Sequence, residues 1–439
     1  IAVNRFGLGA RGNELSDAKH DPEQWLLRQL VNPVFDPTLG NTESAFNVIS
    51  EIKEFKRKRQ QGESNAKPNA KLPSRLYQQR LLKDSLNFAV QTDTPLSMRI
   101  LDFFSNHFSV SASSQSMKVL SPILEREAIA PNLFGQFEDL LIAVEQHPAM
   151  IFYLNNERSA GPNSQRGNKK RGLNENLARE ILELHTLGVD GGYRLQDITE
   201  LALAISGWSI TNENDVGRVG FKFRNKSHEP GERNILGTSY AEAGLTQGHA
   251  VLRDLARHKK TAQFVSHKLA QHLIADEPPK ELVAAMIDSW IRTDGNIKAV
   301  ISTLVKNPLS WDSRAQKFKT PREFVVSTFR AVNNAQIIDQ SLLNIGLRGL
   351  GLMGQTPFDA GSPAGYSQLN RAWTGSNALM KRIDWVNLVS KRVRETPQPI
   401  VNRIFGSHLS PLTVKLVAGA ESRAQGLALL LLSPEFQRR

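Results

Sequence analysis

The period of the apolar residues constrains this chain more than any other feature. Arg75–Val90, Pro95–Phe108, Asp139–Glu145, Asn174–Leu187, Leu195–Ile205, Gln247–Arg257, Thr261–Ile274, Glu281–Ile291, Ile297–Val305, Pro321–Val332 and Asn377–Val393 all place them at i, i+3 and i+4. That spacing lays an apolar stripe along one side of an α-helix. The punctuation agrees: Gly188 follows Leu187 as a C′ glycine, and Thr320-Pro321 puts proline at a first helical position. A second pattern recurs. "DLLIAVEQHPAMIFYL" (139–154), "KAVISTLVKNPLSW" (298–311) and "QGLALLLLSPEF" (425–436) each run as an apolar helix, a polar residue, a proline and an apolar residue. Proline stops each helix and turns the chain. The irregular spacing rules out a solenoid.

Strand signal is sparse. "GRVGFKFRN" (217–225) alternates weakly, and "RNILGTSY" (233–240) is its expected partner. The fold class is therefore mainly α: one large helical domain over 1–439 with a single small β-hairpin at about 217–240. The polar stretches 56–74 and 157–172 read as loops.

Composition narrows the function. The 439 residues contain no cysteine, which removes disulfides, thiolate nucleophiles and thiolate-bound metals and favours an exported, periplasmic or secreted protein. No run of about 18 apolar residues exists to span a membrane. The net charge of +12 points to an acidic partner. Part of that excess lies in "KEFKRKRQ" (53–60) and "RGNKKRG" (166–172), with nine basic residues against one acidic.

The densest chemistry is in "LNENLAREILELHTLGV" (173–189). With about 100° per residue, Leu177, Ile181 and Leu184 share one face, with Ala178 and His185 at its edge. Glu175, Asn176, Arg179, Glu180, Glu183 and Thr186 gather opposite. The plain alternative is a solvated face laced by Glu175–Arg179 and Arg179–Glu183 pairs, each worth a few tenths of a kcal/mol. Glu180 and Glu183 suit general acid/base work, and a second carboxylate from another element, Glu125, Glu127 or Glu229, would complete a glycosidase pair. Asn106 and His107 end an apolar helix in "FFSNHFSVS", and His228 falls in the expected hairpin loop. Asn174, Asn176, Tyr193 and Trp208 are candidate substrate contacts, the two aromatics as exposed platforms for sugar rings.

Other chemistries lack their signatures. HExxH is absent, and Glu183 and His185, two apart, do not face each other on a helix, so neither a metal nor a cofactor is expected. His258, His267 and His272 lack ligand spacing. There is no G-x-S-x-G elbow, no Walker A and no dinucleotide fingerprint after a strand. Nucleic-acid motifs are missing as well.

Taken in order, "NRFGLGAR", "FFSNHFSVS", "HPAMIFYLNN", "GLNENLAREILELHTLGVDGGY", "ELALAISGW", "HEPGERNILG", "ADEPP" and "SPAGY" make the chain resemble the bacterial family catalogued as domain of unknown function 1800. The resemblance implies export, a large α-helical unit and genes for a sulfatase-like protein nearby. It implies no reaction. Together these readings lead to the expectation of a glycan-active enzyme on an acidic polysaccharide. As a hydrolase it would use Glu180 or Glu183 with a second carboxylate. As a lyase, Arg179 or an asparagine would neutralise a uronate while His107, His185 or Tyr193 takes the proton. The rival is a non-enzymatic exported binding or assembly protein that partners a sulfatase-like protein.

Overall fold

The computed structural model describes residues 1–439 except 62–72, 168–171, 212–218, 313, 315–316, 334–337 and 407. Helices dominate, 22 of them α, with two two-stranded antiparallel sheets among the described residues. Their buried apolar side chains form one contiguous cluster that runs from Ala2 to Phe436. No helix among the described residues is long and apolar enough to cross a membrane.

The recurring proline pattern has a local cause that goes beyond a stop. Pro148, Pro308 and Pro434 each open the next short helix at its first position. The polar residue before each is the N-cap: His147 accepts from Ala149 N, Asn307 from Leu309 N and Ser433 from Phe436 N. Such caps satisfy amide donors that a helix start leaves open. Thr320 and Glu323 form a full capping box around Pro321.

Two expectations are corrected. Strand Arg233–Ile235 pairs with Thr238–Tyr240, not with Phe221–Phe223. Phe221–Phe223 pairs with Trp208–Ile210, a second tiny ribbon beside the small hairpin at Arg233–Tyr240. The tight turn at Leu236-Gly237, both at positive φ, closes that hairpin locally. Positions 217–218 of the expected strand lie outside the described residues. The expected loop at 56–74 is helical at both ends, in Thr42–Gln60 and from Pro73, with 62–72 outside the described residues.

Positive charge also enters the core. Among the described residues nine basic side chains are buried, against Glu125, Glu145, Glu229 and Glu323. Arg99 donates to Gly7 O and pairs with Glu323, Arg439 pairs with the same carboxylate at 2.8 Å, and Arg330 binds Gly9 O and Glu14. Burial opposes ionisation of Glu323, yet Arg439 and Arg99 hold it well below the usual carboxylate range. Part of the net charge thus ties the chain's ends to its centre and is not displayed to partners.

Candidate functional site

The Pro95–His107 helix carries two chemical centres on different sides. Asp102, Ser105 and Asn106 line a cavity, while Phe103 and His107 belong to a buried histidine layer.

In the histidine layer the 173–189 run is not one regular helix. It is α-helical over Asn176–Glu180 and then widens into a π-helix over Ile181–His185. The wider turn retards the angular phase of its later residues. Leu182 and His185 are buried, and Leu184 is only half-buried, contrary to the regular-helix expectation. His185 donates from Nδ1 to Glu145 Oε1 at 2.7 Å, a pair with both side chains almost fully excluded from solvent. Its Nε2 and the second Glu145 oxygen have no protein partner. His107 lies beside it. Lys268 Nζ donates to His107 Nδ1 at 3.0 Å, so the ring's proton sits on Nε2, which donates to His185 O at 3.1 Å. Burial, then the Lys268 and His185 charges, drives His107 well below the usual imidazole value. Burial also lowers Lys268 to about 8.

Above this layer lies the polar face. Arg179 reaches Glu183 at 3.3 Å and Glu175 at 3.7 Å, and Thr199 donates to Glu175. Burial raises the Glu180 carboxyl, with His185 opposing and Glu183 and Glu145 reinforcing. Tyr193 is raised to about 12 by burial and by its hydrogen bond to Glu183. Asn176 is exposed. Asn174 is consumed locally: its amide donates to Leu154 O and Asn155 O, and its oxygen accepts from Asn176 N.

Two candidates are displaced from any surface. Trp208 is fully buried, against Phe221, His249 and the Cα of Gly248, so it offers no platform for a sugar ring. Its run was apolar and followed a helix, which is core composition. His228 is buried with Nδ1 on Ser206 O, latching the segment after the second strand. The proposed carboxylate partners divide as well. Glu229 binds Asn163 twice, and Glu127 binds Thr42 and His147.

Glu125 lines a cavity. That cavity has about 650 Å³ of empty volume and is lined by Asp102, Asn106, Phe108, Glu125, Arg322 and Tyr366, among others. Glu125 opens the π-helix Glu125–Ile129 and accepts from Ser105 at 2.8 Å and Ser85 at 3.2 Å. Arg322 Nε donates to Asp102 at 2.8 Å, and Arg322 Nη2 has no partner among the described residues. Burial raises both acids; Arg322 opposes the shift at each, and Asp102 adds its repulsion to Glu125. Asn106 grips the far wall, donating to Tyr366 O and accepting from Tyr366 N. Phe358 closes that wall in a left-handed conformation, φ 53°, with its carbonyl held by Ala112 N.

Sequence reasoning missed Asp102, Glu145, Lys268, Arg322 and Tyr366. One signal was available: Asp102, Ser105 and Asn106 stand at i, i+3 and i+4, a polar stripe on an otherwise apolar helix. Glu175, Arg179, Glu180 and Glu183 line neither this cavity nor three further pockets among the described residues. Among the described residues no three histidine or carboxylate side chains are grouped to hold a metal ion.

The fold and these centres define a large α-helical protein built around buried acid, histidine and arginine pairs. Residues 1–438 match the family model described as a protein of unknown function (DUF1800), and the chain belongs to that family. No curated protein and no solved structure matches it.

Proposed function

We propose that this protein is an exported, glycan-active enzyme, a glycoside hydrolase whose chemistry is at the Asp102–Glu125 cavity. One observation carries the reading: two carboxylates in unlike surroundings face one open cavity with an arginine between them. Glu125, buried and serine-bound, keeps its proton to higher pH and serves as the acid that protonates the leaving oxygen. Asp102 carries the ion pair with Arg322 and supports the developing positive charge or a water. Arg322 Nη2, buried and without a partner among the described residues, is an unsatisfied donor beside these acids. Phe108 and Tyr366 supply aromatic walls.

The hydrolase is favoured over the lyase because no candidate base reaches the cavity: His185 Nε2 is sealed from solvent, Tyr193 is tied to Glu183, and His107 is saturated. Lys268 occupies the His107 Nδ1 and the Nε2 proton is on a carbonyl, so that ring has no lone pair free to accept a substrate proton. The absence of cysteine supports export. The test is a panel of neutral and anionic polysaccharides, read by new reducing ends and by absorbance of unsaturated products. The expected result is reducing ends without unsaturation, abolished in Glu125→Gln. Reducing ends that persist in Glu125→Gln, or unsaturated products, would overturn the reading.

A further inference from the structure

A second cleft, of about 1060 Å³ empty volume, lies between the Thr42–Gln60 helix, the Gln115–Leu124 helix and the Trp208–Ile210 strand. Among the described residues its lining holds four cations, Lys53, Arg158, Arg166 and Arg224, against one carboxylate, Glu157. Arg224 is held in place: its Nε donates to Ser209 Oγ at 3.0 Å and its Nη2 to Ile210 O at 2.9 Å. Arg158, by contrast, is three-quarters exposed, with Glu157 at 3.2 Å. Half-buried Phe46 and Phe152 add ring faces. A fixed guanidinium beside exposed cations, aromatic faces and hydroxyls suits a ligand that is both anionic and rich in hydroxyl groups.

We propose that this cleft is a binding site for an anionic saccharide bearing carboxylate or sulfate groups. The anion follows from the charge of the lining; the saccharide rests on the functional reading above. Beside the acid cavity and the two other pockets described, this cleft has the most basic lining. The Gln115–Leu124 helix contributes Ser116 and Leu120 here and Ser121 and Leu124 to the acid cavity, so the two pockets share one helix as a wall.

The test measures binding of a sulfated octasaccharide and of an oligogalacturonate to the full chain by titration calorimetry, at low and at moderate salt. Single-stranded DNA and inorganic phosphate serve as comparison ligands. The expected result is saccharide binding that weakens with salt and falls at least tenfold in Lys53→Glu/Arg158→Glu, whose exposed sites leave the melting temperature unchanged. Glu125→Gln should bind as the native chain does, which separates this site from the catalytic reading: activity can fail while binding holds. Three results would overturn the proposal. They are no binding of either saccharide, affinity unmoved by the charge reversal, or DNA or phosphate binding more tightly than both saccharides.

Discussion

The Asn176–His185 segment and the Asp102–Glu125 cavity hold the same residue types in opposite surroundings. On the segment, Glu175, Arg179 and Glu183 satisfy one another at a half-exposed surface. In the cavity, Glu125 is buried, Asp102 and Arg322 are largely so, and one guanidinium nitrogen remains unpaired among the described residues. Solvent screening makes the first arrangement weak and forgiving. Desolvation makes the second strong and costly to disturb. Local density of charged letters therefore records composition and not dielectric surroundings.

The largest expected difference is in activity. Glu125→Gln should lower turnover by about 10²–10⁴-fold, the range of a lost general acid, with little change in melting temperature. Glu183→Gln should stay within a factor of about two, as surface changes do. Steady-state kinetics on the same glycan decides between them, and an inverted order would move the site back to the helix.

Stability separates the centres next. Glu145→Ala leaves His185 buried without its partner, and about 3–5 kcal/mol should be lost. Urea unfolding followed by circular dichroism measures this. A loss below about 1 kcal/mol would show that the pair is not the anchor of the histidine layer. Glu145→Gln, which keeps an acceptor, should cost less.

A third prediction concerns pH. Glu125 is raised in the folded chain, so the folded state holds this proton after the unfolded chain has released it. Its contribution is fully present below the unfolded value and is lost as pH rises through the folded one. Stability should therefore decline over that window in the native chain and less so in Glu125→Gln. Hydrolysis should fail on the same alkaline side. Thermal melts and rates across pH give both readings, and identical slopes in the two proteins would remove Glu125 as the acid.

The smallest effect belongs to the helix face. Arg179→Ala breaks two partly exposed i,i+4 pairs, worth together less than about 1 kcal/mol. A larger loss in chemical unfolding would mean that this face is coupled to the His185–Glu145 pair beneath it.

Much of the helical architecture was legible because an apolar stripe at 3.6-residue spacing has one low-energy solution, a helix with that stripe buried. The helix–cap–proline units were legible for a related reason: a proline fixes φ and lacks a donor wherever it occurs. Asn106 and Glu125 were visible as polar residues near apolar runs, although nothing local joined them. The π-turn at Ile181–His185 was not visible, since one inserted residue per turn leaves no mark in composition. It decided that His185 points into the core and Leu184 away from it. Likewise, only the packed chain brings Glu145 to His185 across 40 positions and Arg322 to Asp102 across 220. By itself the sequence determined where helices start and stop, because caps, prolines and apolar period act within a few residues. The tertiary structure decided which charges are dry, because desolvation depends on every neighbour in space, and dryness separates a solvated glutamate from a candidate acid.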